Sequence, residues 1–189
     1  MYVAGVLLLF FTPPDYVLSQ YYDWWVSLSE KNNSNTGVTV YNLQNLSLLG
    51  FLQRTGIYNN NGIVILVGLL LFALPYLRID RYKDLNFRLL LLASTSIFLC
   101  LFSTGTENST YIIAYVGVGV WFMVSELPMK VKIVLLVLAM LGSLSPTDIF
   151  KPLKEPYIIR YSLRAVPVTL VWLAIVWEMV SGKLVVHKN

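Results

Sequence analysis

Glu107 is the sole charged side chain between Arg88 and Glu126, and it stands in a polar octet, Ser103 to Thr110, flanked by two strongly apolar stretches. Two roles suit a carboxylate there. It can accept hydrogen bonds from the hydroxyls of a substrate, or it can cap the helix that begins near Thr110, where a glutamate gains about 0.3–1 kcal/mol from the helix dipole. A second set of candidates is cationic. Lys151, Lys154, Arg160 and Arg164 crowd the connection 148–164, and Arg54 shares the long segment 14–61 with one other cation, Lys31. Arginine presents a planar fork that matches phosphate, so these residues suit a lipid phosphate or pyrophosphate. The structural alternative is that they snorkel to phospholipid headgroups. Glu126 and Glu178 fall toward the other helix ends, near Lys130 and Lys183, where snorkelling to water accounts for them.

Other chemistries have no residues to carry them. Cys100 is the single cysteine and His187 the single histidine. That removes an intrachain disulfide and any cysteine-rich metal set. GxxxxGK(S/T), HExxH, CxxC and GxSxG are all absent, and with them the common nucleotide, zinc and serine-hydrolase signatures. No cofactor is expected. Asn32, Asn45 and Asn108 begin N-x-S/T sequons, patterns too short to argue from.

The elements that must hold these residues follow from composition. With 57% hydrophobic and 13% charged residues and a mean hydropathy of +0.66, the 189 residues have too little polar surface to coat a soluble globule. The net charge of +4 does not point to nucleic acid, because its basic residues are scattered in short clusters between apolar runs. Apolar runs at 62–79, 86–102, 110–127, 131–147 and 165–182 match the roughly 20 residues that a helix needs to cross a bilayer. The expected fold is all-α, a polytopic helical membrane bundle of five full spans in a single domain, 1–189. A sixth run, Val3 to Phe11, is half the needed length and is expected to be the end of a longer span.

Lysine and arginine set the orientation. Arg78, Arg81, Lys83, Arg88, Lys130, Lys132, Lys183 and Lys188 are assigned to the cytoplasmic side, and Lys31, Arg54, Lys151, Lys154, Arg160 and Arg164 to the outer side. Glu107 then shares the outer side with Arg54 and the cations of 148–164. So does "DYVLSQYYDWWVSLSE", in which Val17, Leu18, Tyr21, Tyr22, Trp24, Trp25 and Leu28 project into one helical arc. An aromatic amphipathic helix of this kind lies in the headgroup plane. "KNNSNTG" after it reads as a turn-rich link, and "YNLQNLSLLGFLQRTG" shows no clean helical stripe.

Taken together, "NLSLLGFLQRTG" (Asn45 to Gly56), "STGTENSTYIIAYVGVGVWF" and "SPTDIFKPLKEPYIIRYSLRAVPVTLVWL" (Ser145 to Leu173), behind the Trp-containing helix, resemble the carboxy-terminal half of glycosyltransferase family 87, in the versions from Bacteroidetes-type bacteria. The resemblance covers nearly the whole chain. It implies a GT-C enzyme of the bacterial inner membrane that moves a hexose, often mannose, from a polyprenyl-phosphate carrier to an acceptor on the extracytoplasmic face. It also implies a lipid-linked sugar donor and membrane lipids as partners, and Asn45, Arg54, Glu107, Tyr111, Arg160 and Arg164 as substrate-contacting positions. Such enzymes keep their catalytic carboxylate in the first large outer loop, and this chain begins beyond that point in the family pattern. No catalytic base is therefore assigned, and an amino-terminal half is expected as a further partner. The alternative reading is a noncatalytic membrane subunit or a component of a lipid-carrier flippase.

Overall fold

A computed structural model describes residues 12–36, 45–144 and 160–182. Among them the fold is all-α, with no strand. The chain divides into two compact units, Met1–Gly37 and Val38–Asn189. The first contributes one described helix, α1 (Pro14–Thr36). The second contributes α2 (Leu48–Arg54), α3 (Asn61–Ala73), α4 (Leu85–Leu101), α5 (Tyr111–Val124), α6 (Met129–Leu144) and α7 (Ala165–Ser181).

Local chemistry fixes where these helices begin and end. Proline sits in the first turn of α1, where its missing N–H costs no hydrogen bond. The helix then runs on through the stretch expected to be a turn-rich link. The hydroxyls of Ser19, Ser29 and Ser34 bond back to the carbonyls of Tyr16, Val26 and Lys31, so these polar side chains are satisfied within the helix. The segment with no clean helical stripe becomes α2, started by Ser47, whose hydroxyl accepts from the Gly50 N–H. Asn60 caps α3 through the Ile63 N–H at 3.3 Å, and Asp84 caps α4 through the Asn86 N–H at 2.9 Å. At the end of α3 the chain tightens into a 3₁₀ turn, Leu74–Leu77, around Pro75. Pro128 precedes α6, and the left-handed Gly182 follows α7.

These stops leave α3, α5, α6 and α7 shorter than the apolar runs that encode them, while α4 equals its run in length. α4 and α7 have 17 residues each, α6 has 16, α5 has 14 and α3 has 13. Among the described residues, no helix is long and apolar enough to cross a membrane. The half-length run Val3 to Phe11 lies outside the described residues.

The second unit is built around α4, which packs most extensively on α5 and also on α7. Gly117 allows that closeness, since a Cβ there would stand 2.8 Å from the Ala93 carbonyl oxygen. The core between the three helices contains Phe87, Leu90, Ile97, Val118, Trp121, Val168, Trp172 and Ile175, all essentially without exposure. Inside it the Trp172 indole N–H donates to Ser94 Oγ at 3.1 Å, so that one buried polar pair registers α7 against α4. Helix α6 packs on α5 and α7, and α3 on α4.

The contacts between helix termini give the unit two distinct ends. At one, the guanidinium groups of Arg78 and Arg81 donate to the carbonyls of Val180 and Gly182, capping the last turn of α7. There too Glu178 is buried, with its carboxylate accepting from the Ser125 hydroxyl at 2.7 Å and the Glu126 N–H at 2.6 Å. The amine of Lys132, also buried, donates to the carbonyls of Phe122 and Ser125. Glu178 therefore does not snorkel as expected. It clamps the α5–α6 turn, because the turn offers two donors to a carboxylate that the helix packing has removed from water.

Candidate functional site

The opposite end joins three segments that are far apart in sequence: Asn45–Leu46–Ser47, the turn 103–110, and residues 160–164 ahead of α7. Each arrives for a local reason. Ser47 starts α2, and the Asn45 side-chain oxygen accepts from both the Ser47 N–H and hydroxyl, which folds Asn45 back over the first turn. Gly50 makes room for that fold, since any side chain there would collide with the Asn45 carbonyl. The turn after α4 is tied by Thr106, buried, whose hydroxyl donates to the Cys100 carbonyl at 2.7 Å. The Thr106 carbonyl then accepts from the Leu46 N–H at 2.8 Å, and the Tyr111 hydroxyl donates to the Leu46 carbonyl at 2.7 Å. Leu46 is thereby pinned by both its backbone groups to the α4–α5 connection and the start of α5.

Ser162 brings in the third segment. Its backbone is left-handed, with φ at 51°, the sole positive φ of a non-glycine among the described residues. Its hydroxyl donates to the Asn45 carbonyl at 3.1 Å and accepts from Arg54 at 2.6 Å. Two residues later Arg164 is buried at 7% exposure, with Nε donating to the Tyr115 hydroxyl at 3.2 Å and Nη1 to Asn108 Oδ1 at 2.6 Å. Its guanidinium carbon lies 4.5 Å from the Tyr111 ring centroid and 5.4 Å from that of Tyr115.

Among the described residues, the charged side chains that this end buries are cations. Every partner of Arg164 among the described residues is neutral, so a nearly buried cation is solvated by an amide, a phenol and two ring faces. Arg54 is half-buried, and burial pulls its pKa below the ordinary guanidinium value, although an arginine stays charged at physiological pH. The side-chain N–H₂ of Asn45 is buried and has no acceptor among the described residues. Two guanidinium groups and an unpaired amide donor make this end an environment for an anion.

Four of the six expected positions, Asn45, Arg54, Tyr111 and Arg164, therefore meet in one network of hydrogen bonds and ring contacts. The other two stay outside it. Arg160 is exposed and, among the described residues, reaches only the Tyr161 ring, at 5.8 Å. Glu107 is exposed, and its carboxylate takes no hydrogen bond or ion pair among the described residues, although its neighbour Asn108 holds Arg164. Nor does the carboxylate cap α5: the N-cap of that helix is Thr110, without a side-chain cap bond, and Glu107 meets it through backbone alone, its carbonyl accepting from the Thr110 N–H and its N–H donating to the Thr110 hydroxyl. Lys151 and Lys154 lie outside the described residues.

Thr106, Asn108, Tyr115 and Ser162 went unnoticed in the sequence. Asn108 was visible as a sequon, but nothing in a sequon predicts that its amide oxygen faces an arginine 56 positions away. Comparison with known proteins brings no further candidates: no family model, no curated protein and no solved structure matches this chain.

Proposed function

We propose that the chain is the carrier-handling part of a bacterial inner-membrane glycosyltransferase, whose Arg164 end takes the phosphate of a polyprenyl-linked hexose, with mannose as the first sugar to test. The observation that carries the reading is Arg164: a nearly buried guanidinium without a carboxylate among the described residues, beside Arg54 and an unpaired amide. Such a cation gains from an anionic ligand what its neutral partners do not supply. The resemblance of the three motifs to glycosyltransferase family 87 supplies the nature of that ligand.

A membrane setting is part of the proposal. Large apolar side chains point away from the core on several helices, among them Leu66 and Leu70 on α3, Ile112 and Val116 on α5, Val134 and Val137 on α6, and Trp177 on α7. Keeping that surface in water costs about 25 cal/mol for each Å², so lipid is its favoured surrounding. Helices of 17 residues rise about 26 Å, near the lower limit for a hydrocarbon core of about 30 Å. The exposed Trp24, Trp25, Tyr21 and Tyr22 of α1 suit a headgroup layer. Nucleic acid has no part in the proposed function.

The test is deletion of the coding sequence in the source organism, followed by mass spectrometry of membrane lipids and envelope glycans. Polyprenyl-phosphate hexose should accumulate while one glycan loses a hexose. Unchanged carrier and glycan pools refute the proposal.

A further inference from the structure

Arg164 owes its place to Ser162, and Ser162 is in a conformation that costs free energy. A non-glycine residue with positive φ is uncommon, and such strain persists where surrounding structure holds it, most often at functional sites. Here the holding groups are explicit. The Ser162 hydroxyl sits between Arg54, 2.6 Å away, and the Asn45 carbonyl, 3.1 Å away, and the side chain is fully buried. Its carbonyl accepts from the Ala165 N–H at 3.0 Å, at the entry to α7. The contacts close a ring: Asn45 continues into Leu46, Leu46 is bound by Tyr111, Tyr111 lies under Arg164, and Arg164 follows Ser162 back to Asn45. A helix start alone requires none of this, since an extended Ser, Thr or Asp would begin α7 without a left-handed residue.

We propose that Ser162 is a positioning residue for an anion contact: its strained backbone and its two hydrogen bonds aim the Arg164 guanidinium at a phosphate group, with Arg54 acting on that aim through the serine hydroxyl. The inference rests on the reading of this end as a phosphate seat. It adds that the seat is pre-set by a residue that does not touch the ligand.

Two substitutions separate aim from fold. Ser162→Gly removes the hydroxyl and also relieves the backbone, because glycine adopts positive φ freely. Ser162→Ala removes the hydroxyl and keeps the strain. Binding is measured by isothermal titration of the purified chain in nanodiscs with farnesyl monophosphate, and separately with inorganic phosphate, so that a lipid phosphate and a free one are told apart. Thermal melting without ligand is read alongside. The expected result is that the wild type binds farnesyl monophosphate more tightly than inorganic phosphate, that both variants lose about tenfold in affinity, and that Ser162→Gly melts no lower than wild type. Wild-type affinity in both variants overturns the positioning role and leaves the phosphate seat standing. A wild-type chain that binds neither probe overturns the seat itself and the positioning role with it. Loss of folding in Ser162→Gly also overturns the proposal, because the hydroxyl would then be holding the fold together.

Discussion

Replacing Arg164 with methionine is expected to remove ligand binding while leaving stability almost untouched. The guanidinium is 7% exposed and makes two hydrogen bonds, to Asn108 and Tyr115, besides lying over the Tyr111 ring. Hydrogen bonds to a charged group contribute about 1.5–3 kcal/mol each, and the ring contact roughly 0.5–1 kcal/mol, for a gain of about 3.5–7 kcal/mol. Against this stands the cost of taking a cation out of water without an anionic partner, which is several kcal/mol. The two nearly cancel. Methionine has a similar length and no charge, and the oxygens that it frees are not trapped: Asn108 is exposed and Tyr115 half-exposed, so both can turn to water. Arg164→Met should therefore shift unfolding stability by less than about 1.5 kcal/mol. Arg164→Lys keeps the desolvation cost but loses the planar fork, and should be less stable than Arg164→Met by about 2 kcal/mol. The assay is thermal and denaturant unfolding of the nanodisc-embedded chain, with a farnesyl monophosphate titration, in which Arg164→Met should lose about 100-fold in affinity, or about 2.7 kcal/mol. A stability loss above about 3 kcal/mol for Arg164→Met in the absence of phosphate would show that the guanidinium is a structural hub, and unchanged affinity would remove it from the ligand site.

At the other end, Glu178→Ala should destabilise by about 3–5 kcal/mol in denaturant titration, because it strands the Ser125 hydroxyl and the Glu126 N–H, two donors to one carboxylate, whereas Glu178→Gln should cost about 1–2 kcal/mol; equal effects would contradict the charge argument. Glu107→Gln should leave the melting temperature unchanged, since the carboxylate is exposed and caps nothing. If Glu107 positions a substrate, the same variant loses about 5- to 150-fold in transfer efficiency in the assembled enzyme, and wild-type efficiency strikes it from the site. Cysteines placed at Lys130 and Gly105, at opposite ends of α5, should react with a membrane-impermeant maleimide from the cytoplasmic and outer faces respectively; labelling of position 130 in intact cells reverses the orientation.

Much of the helical framework is legible from local sequence. The apolar runs mark five of the helices to within a few residues. Asn60, Asp84 and Pro128 mark three of their starts, because caps and prolines act on backbone groups one to four positions away. The longer reach of α1 was not legible: serines and asparagines favour turns in general, and only the finished helix shows Ser34 bonded back to Lys31. Helix α2 has just seven residues, too few for a periodic stripe to declare itself.

The candidate site divides along the same line. Charge placement picked out Arg54 and Arg164, because cations near apolar ends are costly and attract notice wherever they occur, and the family resemblance added Asn45 and Tyr111. By the same logic Arg160 and Glu107 looked equivalent to them, and they are not. Which charges turn inward depends on contacts such as Arg54 with Ser162, Ser162 with Asn45, and Arg164 with Asn108, between residues 108, 117 and 56 positions apart. Those separations have no period that a single sequence displays. The sequence by itself determined that the chain forms apolar helices with cations collected at their ends, since hydropathy and capping are local properties. Only the tertiary structure decided that a serine in a left-handed conformation joins two of those ends, that Glu178 is buried as a clamp, and that Arg164 sits among neutral partners, because helix packing alone brings residues far apart in the chain within hydrogen-bonding reach.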